Sequence, residues 1–346
     1  MMTAARLHRI GAALRIDRVP VPRTASNDIL VEVRASGICH SDLNYRNGIA
    51  PVAKLPIILG HEIAGVVARK GSRVKNFRLG ERILVHYVSS CGRCLYCRTN
   101  RENYCKAYQM IGKDVDGGYA QYAIIPAVCA VRLPETIPFE QGAIMGCAVP
   151  TAYHALRRGR MQPKDTVVII GVGGLGMHAV QFAKKIFRAG KVIAVDRFGW
   201  KLKRAKNFGA DSIVNAATDD PVAAVGGITD GMLADVVLDF VGSEKTNQQA
   251  VSCVGKGGRL VLVGIGARSM TLSPYGTIIG KEIEIVGVDD HLRLELNQLV
   301  RLVRAGKMDL SHSVTHRVAL ENINEGFRIL EDKNEKPIRV VVSTKD

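Results

Sequence analysis

The sequence predicts an α/β protein in which a β-rich N-terminal region is followed by a doubly wound parallel sheet. In the first 150 residues, short apolar runs are separated by Gly and Pro turns, a pattern that is typical of strands. From Thr166 onward, apolar runs of four or five residues alternate with helix-like stretches. Such alternation predicts a buried parallel sheet that is covered by helices.

The elements are predicted in chain order from these runs. The strands of the first region are 29–33, 62–67 and 82–85, and those of the second are 167–170, 192–195, 235–238, 259–263 and 282–286. A helix extends from the turn after strand 167–170 to about residue 188. Beyond residue 291 we expect helices at 294–304 and 320–331 and a last strand at 338–342.

The length of 346 residues indicates two domains, since a domain averages roughly 150 residues. We assign residues 1–150 to the first domain and residues 151–290 to the parallel-sheet domain. Residues 291–346 form a final segment. Its local pattern is compatible both with an extension of the second domain and with a return to the first.

The composition is that of an ordinary soluble protein, with 47% hydrophobic and 23% charged residues. The formal net charge of +16 raises the alternative of a basic, zinc-stabilised nucleic-acid-binding protein. Basic residues are scattered, however, and no block of five or six like charges occurs, so we favour a solvated basic surface and no nucleic-acid partner. No apolar run is long enough to span a bilayer and the start lacks a signal-peptide pattern, which predicts a cytoplasmic protein without a membrane partner.

A glycine-rich turn follows the predicted strand 167–170 and opens the next helix. Gly171, Gly173 and Gly176 match G-x-G-x-x-G in this strand–turn–helix context, and Gly174 and Leu175 complete the turn. The free N–H groups and the dipole of a helix N-terminus favour anions there. The turn therefore predicts a site for the pyrophosphate of a dinucleotide.

Asp196 ends the second strand of this unit, twenty residues after Gly176. A carboxylate in this position accepts hydrogen bonds from an adenosine ribose and repels a 2′-phosphate, so it favours NAD over NADP. Its neighbour Arg197 leaves NADP open, because an arginine beside this position can hold the 2′-phosphate.

Four of the eight cysteines lie within fifteen residues, at Cys91, Cys94, Cys97 and Cys105. Four soft ligands in one loop predict a structural zinc site with no open position, and the alternative is a set of buried free thiols. A second group, Cys39, His61 and Cys147, is dispersed. Two sulfurs and one imidazole would leave one tetrahedral position open, which is the pattern of a catalytic zinc.

Together these motifs resemble the zinc-containing medium-chain dehydrogenase/reductase family, in its alcohol dehydrogenase branch. The resemblance covers nearly the whole chain, in order. It rests on Gly37-Ile-Cys39-His40-Ser41-Asp42, on Gly60-His61-Glu62 with Gly65, Gly71 and Val74, on the four-cysteine loop, on Cys147 and on the glycine-rich turn.

The resemblance implies a GroES-like catalytic domain, to which residues 291–346 return, and a Rossmann domain. It implies that Cys39, His61 and Cys147 bind a catalytic zinc, that Glu62 lies behind the metal and that Asp42 orients His61. Cofactor contacts are expected at His40, Thr151, Gly171, Gly173, Gly174, Leu175, Gly176, Asp196, Arg197, Lys201, Val263 and Arg339. Tyr87 and Met110 are expected in the substrate pocket, with plain core packing as the alternative.

The function that the resemblance implies is reversible hydride transfer between an alcohol and NAD, with two zinc ions per chain. Ser41 would accept the alcohol proton. Many family members carry a histidine where this chain has Asn44, so the last proton step must use water or another group. The sequence leaves open which alcohol, aldehyde or ketone is used and whether the expected homo-oligomer is a dimer or a tetramer. A family reductase without catalytic zinc is the second alternative.

Overall fold

The computed structural model describes residues 1–266 and 269–344. The chain divides into two compact units, Met1–Pro150 with Asp290–Asp346, and Thr151–Asp289. Residues 345–346, at the end of the predicted final segment, lie outside the described residues. In the part of the chain that is described, no helix has the length and apolar character needed to cross a membrane.

The N-terminal stretch is built mainly from strands. Its strands are β1 (Met2–Leu7), β2 (Arg15–Val19), β3 (Asp28–Ile38), β4 (Ile57–Ile58), β5 (Glu62–Lys70), β6 (Arg82–Val85), β7 (Val88–Ser89), β8 (Gln109–Met110), β9 (Tyr122–Pro126) and β10 (Ala130–Arg132). Its helices are α1 (His40–Arg46), α2 (Leu95–Arg98) and α3 (Phe139–Ile144), and α4 (Ala148–Arg158) follows.

The second unit alternates strands and helices. Its strands are β11 (Thr166–Ile170), β12 (Lys191–Asp196), β13 (Ser212–Asn215), β14 (Ala234–Asp239), β15 (Val254–Leu262) and β16 (Glu284–Gly287). Its further helices are α5 (Gly176–Lys185), α6 (Gly199–Phe208), α7 (Pro221–Ile228) and α8 (Glu244–Ser252). A one-turn π-helix spans Pro274–Ile279.

All strands of the second unit pair in parallel, in the order β13-β12-β11-β14-β15-β16. This is the order of a dinucleotide-binding sheet, whose order reverses at the first strand. The runs are rich in valine and isoleucine because both faces are covered, and Val168, Ile193, Val237 and Leu260 belong to one buried cluster. The predicted fold class is confirmed.

The final segment contributes α9 (Arg293–Arg304), β17 (Val314–Ala319), α10 (Ile323–Glu331) and β18 (Arg339–Ser343). Among the described residues, the main sheet of the first unit has seven strands, in the order β10-β6-β5-β3-β18-β17, with β9 also paired to β3. Strand β18 pairs antiparallel to β3, with Val340 opposite Ile38. The C-terminal segment therefore completes the N-terminal sheet.

Candidate metal centres and nucleotide-binding turn

Four residues that are far apart in the sequence form one buried cluster. Cys39 follows β3, His61 and Glu62 begin β5, and Cys147 precedes α4. One ligand atom from each lies within 4.8 Å of the other three, and all four residues are buried. The antiparallel register sets Gly37 opposite Glu62, so the end of β3 and the start of β5 meet at this cluster.

Gly37 allows this close approach. A Cβ atom at residue 37 would lie only 1.9 Å from Oε2 of Glu62, so a side chain there would displace the carboxylate from the cluster. The glycine in the Gly37-Ile-Cys39 motif is thus required by the position of Glu62.

Asp42 lies beside His61 in the same buried region. One carboxylate oxygen lies 3.4 Å from Nδ1 of His61, and the other accepts hydrogen bonds from the Cys39 N–H at 2.9 Å and from the Tyr119 hydroxyl at 2.8 Å. Nε2 of His61 is buried and has no hydrogen-bond partner among the described residues. A buried nitrogen of this kind is expected to bind a ligand, because leaving it unsatisfied costs free energy.

Glu62 also forms a buried ion pair with Arg339, through Oε2 and a guanidinium nitrogen. Both side chains are almost fully buried. Burial raises the pKa of Glu62 to about 7, and the Arg339 charge opposes that rise. The structure thus places Arg339 against Glu62, and a contact of this arginine with a pyrophosphate stays a prediction.

The ionisation of the cluster shows how it would accept a cation. The hydrogen bond from the Cys147 thiol, together with His61, holds the pKa of Cys39 well below its usual value despite burial. The same bond, and burial, raise the pKa of Cys147. Burial lowers the pKa of His61, but Asp42 and Cys39 outweigh it and raise the pKa overall. A divalent cation would take the place of the shared protons, since metal ligands bind deprotonated.

The four-cysteine loop forms a second cluster, in which all four sulfurs lie within 4.8 Å of one another. Cys97 Sγ is 3.9 Å from Cys91 Sγ and 3.5 Å from Cys94 Sγ, too far apart for a disulfide bond. Backbone N–H groups of Arg93 and Cys94 donate to Cys91 and lower its pKa to about 6. These thiols fit a tetrahedral zinc ion with no open position.

The glycine-rich turn has the geometry that its sequence predicts. Gly171 adopts φ of +86°, which favours glycine. A Cβ atom at Gly176 would lie 2.1 Å from the carbonyl oxygen of Gly171, so only glycine lets α5 start this close to β11. Gly173, Gly174 and Leu175 are half-buried and lie between them.

Asp196 is buried at the end of β12, and its carboxylate holds this turn through hydrogen bonds to the backbone. Its carboxylate accepts hydrogen bonds from the N–H groups of Val172 at 3.1 Å and Phe198 at 3.0 Å. Lys201 Nζ lies 3.5 Å from the same carboxylate. Arg197 is exposed, with its guanidinium carbon 4.8 Å from the centre of the Phe198 ring.

The other predicted residues occupy varied environments. Ser41 Oγ accepts a weak hydrogen bond from Cys39 Sγ at 3.7 Å, and His40 is exposed at the first position of α1. Thr151 is buried in α4, and its hydroxyl has no hydrogen-bond partner among the described residues. Val263 follows β15 and donates its N–H to the Asp239 carbonyl at 3.0 Å.

Tyr87 and Met110 both lie near the first cluster. The Tyr87 ring meets the His61 ring edge-on, with 5.0 Å between the ring centres. The Met110 sulfur accepts a hydrogen bond from the Tyr45 hydroxyl at 3.3 Å. Sequence reasoning missed Tyr119, whose hydroxyl supports Asp42 from 77 positions away. No local motif signals that contact.

A β-rich unit with a cysteine–histidine cluster, joined to a unit with a dinucleotide-binding turn, defines the class of metal-dependent dehydrogenases. Comparison with known proteins supports this class. Residues 25–135 match the model of the alcohol dehydrogenase GroES-like domain, and residues 174–305 match that of the zinc-binding dehydrogenases. The chain belongs to the zinc-containing medium-chain dehydrogenase/reductase family, in its alcohol dehydrogenase branch.

Similarity to individual proteins extends over the full length. An NAD-dependent alcohol dehydrogenase of Sulfurisphaera tokodaii is 33% identical over 96% of this chain and 97% of its own. An alcohol dehydrogenase of Geobacillus stearothermophilus is 34% identical over 94% of this chain and 95% of its own. The solved alcohol dehydrogenase of Aeropyrum pernix superposes with a TM-score of 0.90 at 33% identity, covering 99% of both chains. These findings favour a dehydrogenase over a nucleic-acid-binding protein.

Proposed function

We propose that this protein is a zinc-dependent alcohol dehydrogenase that oxidises a primary or secondary alcohol with NAD and reduces the matching aldehyde or ketone. One observation carries the proposal. Two buried thiols converge with an imidazole nitrogen that has no hydrogen-bond partner among the described residues, in a chain that also has a glycine-rich strand–turn–helix motif. A reductase of the same family without catalytic zinc would have no need for this ligand set.

Cys39, His61 and Cys147 would hold the catalytic zinc. When bound, zinc acts as a Lewis acid on the substrate oxygen, and NAD accepts the hydride. Asp42 keeps Nδ1 of His61 engaged, so that Nε2 remains the ligand. Arg339 balances the charge of Glu62 beside the two thiols. The four-cysteine loop would hold a second zinc, which makes two per chain.

The glycine-rich turn would bind the cofactor pyrophosphate, and Asp196 with Lys201 would bind the adenosine ribose. Asp196 favours NAD because its carboxylate repels a 2′-phosphate. His40 and Arg339 would supply positive charge to the phosphates. Thr151 and Val263 would contact the cofactor, and the Thr151 hydroxyl has no hydrogen-bond partner within residues 1–266 and 269–344.

Ser41 Oγ would accept the proton of the alcohol. It lies within 3.7 Å of Cys39 Sγ, which places it beside the candidate ligands. Ser41 would then release this proton toward the side on which the cofactor ribose binds. Asn44 cannot titrate usefully, so the final transfer uses water or another group. Tyr87 and Met110 would line the substrate site, since both flank the cluster.

Oligomeric state and location form part of the proposal. Strand β16 is an edge strand with half-exposed apolar residues, which suits pairing with a second copy in a dimer or tetramer. All eight cysteines are free. Thiol clusters that suit metal rather than disulfides fit a reducing compartment, and we place the protein in the cytoplasm.

The test is NADH formation from a panel of primary, secondary and aromatic alcohols, with zinc counted in parallel. Cys147→Ala should lose one zinc and slow turnover by about 10³-fold, because Lewis-acid stabilisation is worth several kcal/mol. Cys253→Ala is the matched control: this buried cysteine lies in the parallel-sheet unit, so both zincs and the activity should persist. A zinc-loaded wild type that oxidises none of these alcohols would contradict the proposal.

A further inference from the structure

The Asp290 carboxylate accepts hydrogen bonds from two tyrosine hydroxyls, one on each oxygen. Tyr87 donates at 2.6 Å and Tyr108 donates at 2.8 Å. Hydrogen bonds to an ionised carboxylate are shorter and stronger than those between neutral groups. The two phenols are therefore held firmly at this residue.

Tyr87 extends this contact to the candidate catalytic centre. Its ring is 2% exposed and meets the His61 ring edge-on, at 5.0 Å between centres and an interplanar angle of 76°. The ring of His291 lies against it at 5.1 Å and 81°. With its hydroxyl held by Asp290 and its ring between two imidazoles, the Tyr87 side chain has one defined orientation.

The backbone at Asp290 is itself constrained. Its φ of +58° lies in the left-handed region, which non-glycine residues adopt only where the surroundings enforce it. The same segment is tied to the four-cysteine loop a second time, since the Arg293 N–H donates to Glu102 at 2.7 Å. A continuous set of contacts thus leads from that loop through Tyr108, Asp290 and Tyr87 to His61.

We propose that Asp290 is a positioning residue that holds the Tyr87 ring against His61 and thereby sets which alcohols fit beside the candidate zinc ligands. The inference rests on the proposed function for its substrate class. Tyr87 has a buried hydroxyl that needs an acceptor, and Asp290 supplies it. Without the Asp290 carboxylate, the Tyr87 ring must turn so that its hydroxyl reaches another acceptor. This rotation changes the apolar surface that the ring presents beside His61.

The first arm of the test compares Asp290→Asn, Asp290→Gly and Tyr87→Phe. Asparagine and glycine both tolerate the left-handed backbone, so these changes remove the carboxylate without straining the chain. We expect Asp290→Gly and Tyr87→Phe, which abolish the contact, to change the ratio of kcat/KM for benzyl alcohol over ethanol by about tenfold or more, mainly through KM, with zinc content unchanged. Small misplacements in a site are known to cost this much. Asp290→Asn keeps one acceptor oxygen and should give a smaller change of the same sign.

Asp230→Gly is the matched control, because Asp230 also has a positive φ, of +52°, but is exposed in the parallel-sheet unit. It should leave the ratio unchanged. Tyr108→Phe should give a smaller change of the same sign, because Tyr87 keeps its acceptor. If Asp290→Gly lowers only the melting temperature and leaves the ratio unaltered, Asp290 is merely a structural tie and the proposal is wrong.

The second arm needs no turnover. In protein labelled with fluorotyrosine, the Tyr87 fluorine resonance is assigned by its loss in Tyr87→Phe, and zinc loading should shift it through the His61 contact. We expect Asp290→Gly to reduce that shift by about half or more, and Asp230→Gly to preserve it. An unreduced shift would overturn the proposal. If the wild type oxidises no alcohol but the fluorine shift still depends on Asp290, the proposed function is wrong and the positioning role of Asp290 holds. If the Asp290 variants do not fold, Tyr87→Phe still tests the substrate ratio.

Discussion

The Asp196 carboxylate has one observed role and one proposed role, and both use the same oxygens. Its carboxylate braces the glycine-rich turn through Val172 and Phe198, and it is also the group proposed to receive the adenosine ribose. Each carboxylate oxygen has more than one lone pair, so the backbone contacts leave capacity for a ligand. Under the proposed function, the negative charge would discriminate against a 2′-phosphate, while the backbone contacts need only an acceptor.

Cofactor preference should therefore depend on the charge of this one side chain. Asp196→Gly removes the repulsion and leaves Arg197 and Lys201 to meet a phosphate, so the ratio of kcat/KM for NAD over NADP should fall by about ten- to a hundredfold, or about 1.4–2.7 kcal/mol. In Asp196→Asn the ratio of kcat/KM for NAD over NADP should also fall. This variant should lose less stability than Asp196→Gly, because asparagine keeps an acceptor for the turn. Equal efficiency of wild type with both cofactors would show that Asp196 does not set the preference.

Site residues could be predicted from the sequence where they and their partners both belong to recognisable motifs. Cys39, His61 and Cys147 could be named from the sequence, and the structure brings their ligand atoms together with Glu62. The ion pair between Glu62 and Arg339 joins positions 277 apart, so no local pattern contains it. Asp290 was missed for the same reason, because its tyrosine partners are about 180 to 200 positions away.

At the scale of elements, the short apolar strand β6 was predicted with its observed bounds, whereas the starts of β15 and β16 were displaced. Strand β6 lies where it was predicted, at Arg82–Val85. Strand β15 begins at Val254 rather than Arg259, because its first residues include three glycines, which have low strand propensity. Strand β16 begins at Glu284 rather than at Glu282, whose φ of +50° is incompatible with a strand.

The four-cysteine loop has little regular structure of its own. Between β7 and β8 it contains one α-helical turn, Leu95–Arg98, with no buried residue, and one short 3₁₀ turn. Without a core, such a loop depends on crosslinks for its conformation, and its thiols are close enough for a shared metal ion.

Removing one thiol should therefore unfold this element. Cys97→Ala should lose one zinc and lower the melting temperature by several degrees, since structural zinc binding contributes directly to folding free energy. Cys129→Ala is the control, because this buried cysteine in the same unit lies outside both clusters, and it should keep both zincs and cost about 1 kcal/mol. Zinc counting and calorimetry measure both effects. A wild type that binds a single zinc would refute the two-site assignment.

At the scale of the whole molecule, the parallel sheet ends in two different edges. Strand β13 forms one edge and β16 forms the other. Between β15 and β16 lie three large apolar side chains that are strongly exposed, Ile265 at 73%, Tyr275 at 77% and Ile279 at 63%. Exposed apolar residues in the segment that leads into an edge strand favour the proposal that this edge associates with a second copy.

Self-association through the β16 edge should therefore depend on its apolar side chains. Wild type should elute at two or four times the mass of one chain in light scattering. Val286→Lys would bring like charges together across a symmetric interface and should shift the protein toward monomer. Ile213→Lys makes the same change at a 42%-exposed position on β13, the opposite edge, and should leave the mass unchanged. If Ile213→Lys dissociates the protein and Val286→Lys does not, the interface lies at the β13 edge. A wild type that is monomeric at micromolar concentration would rule out either edge as a stable interface.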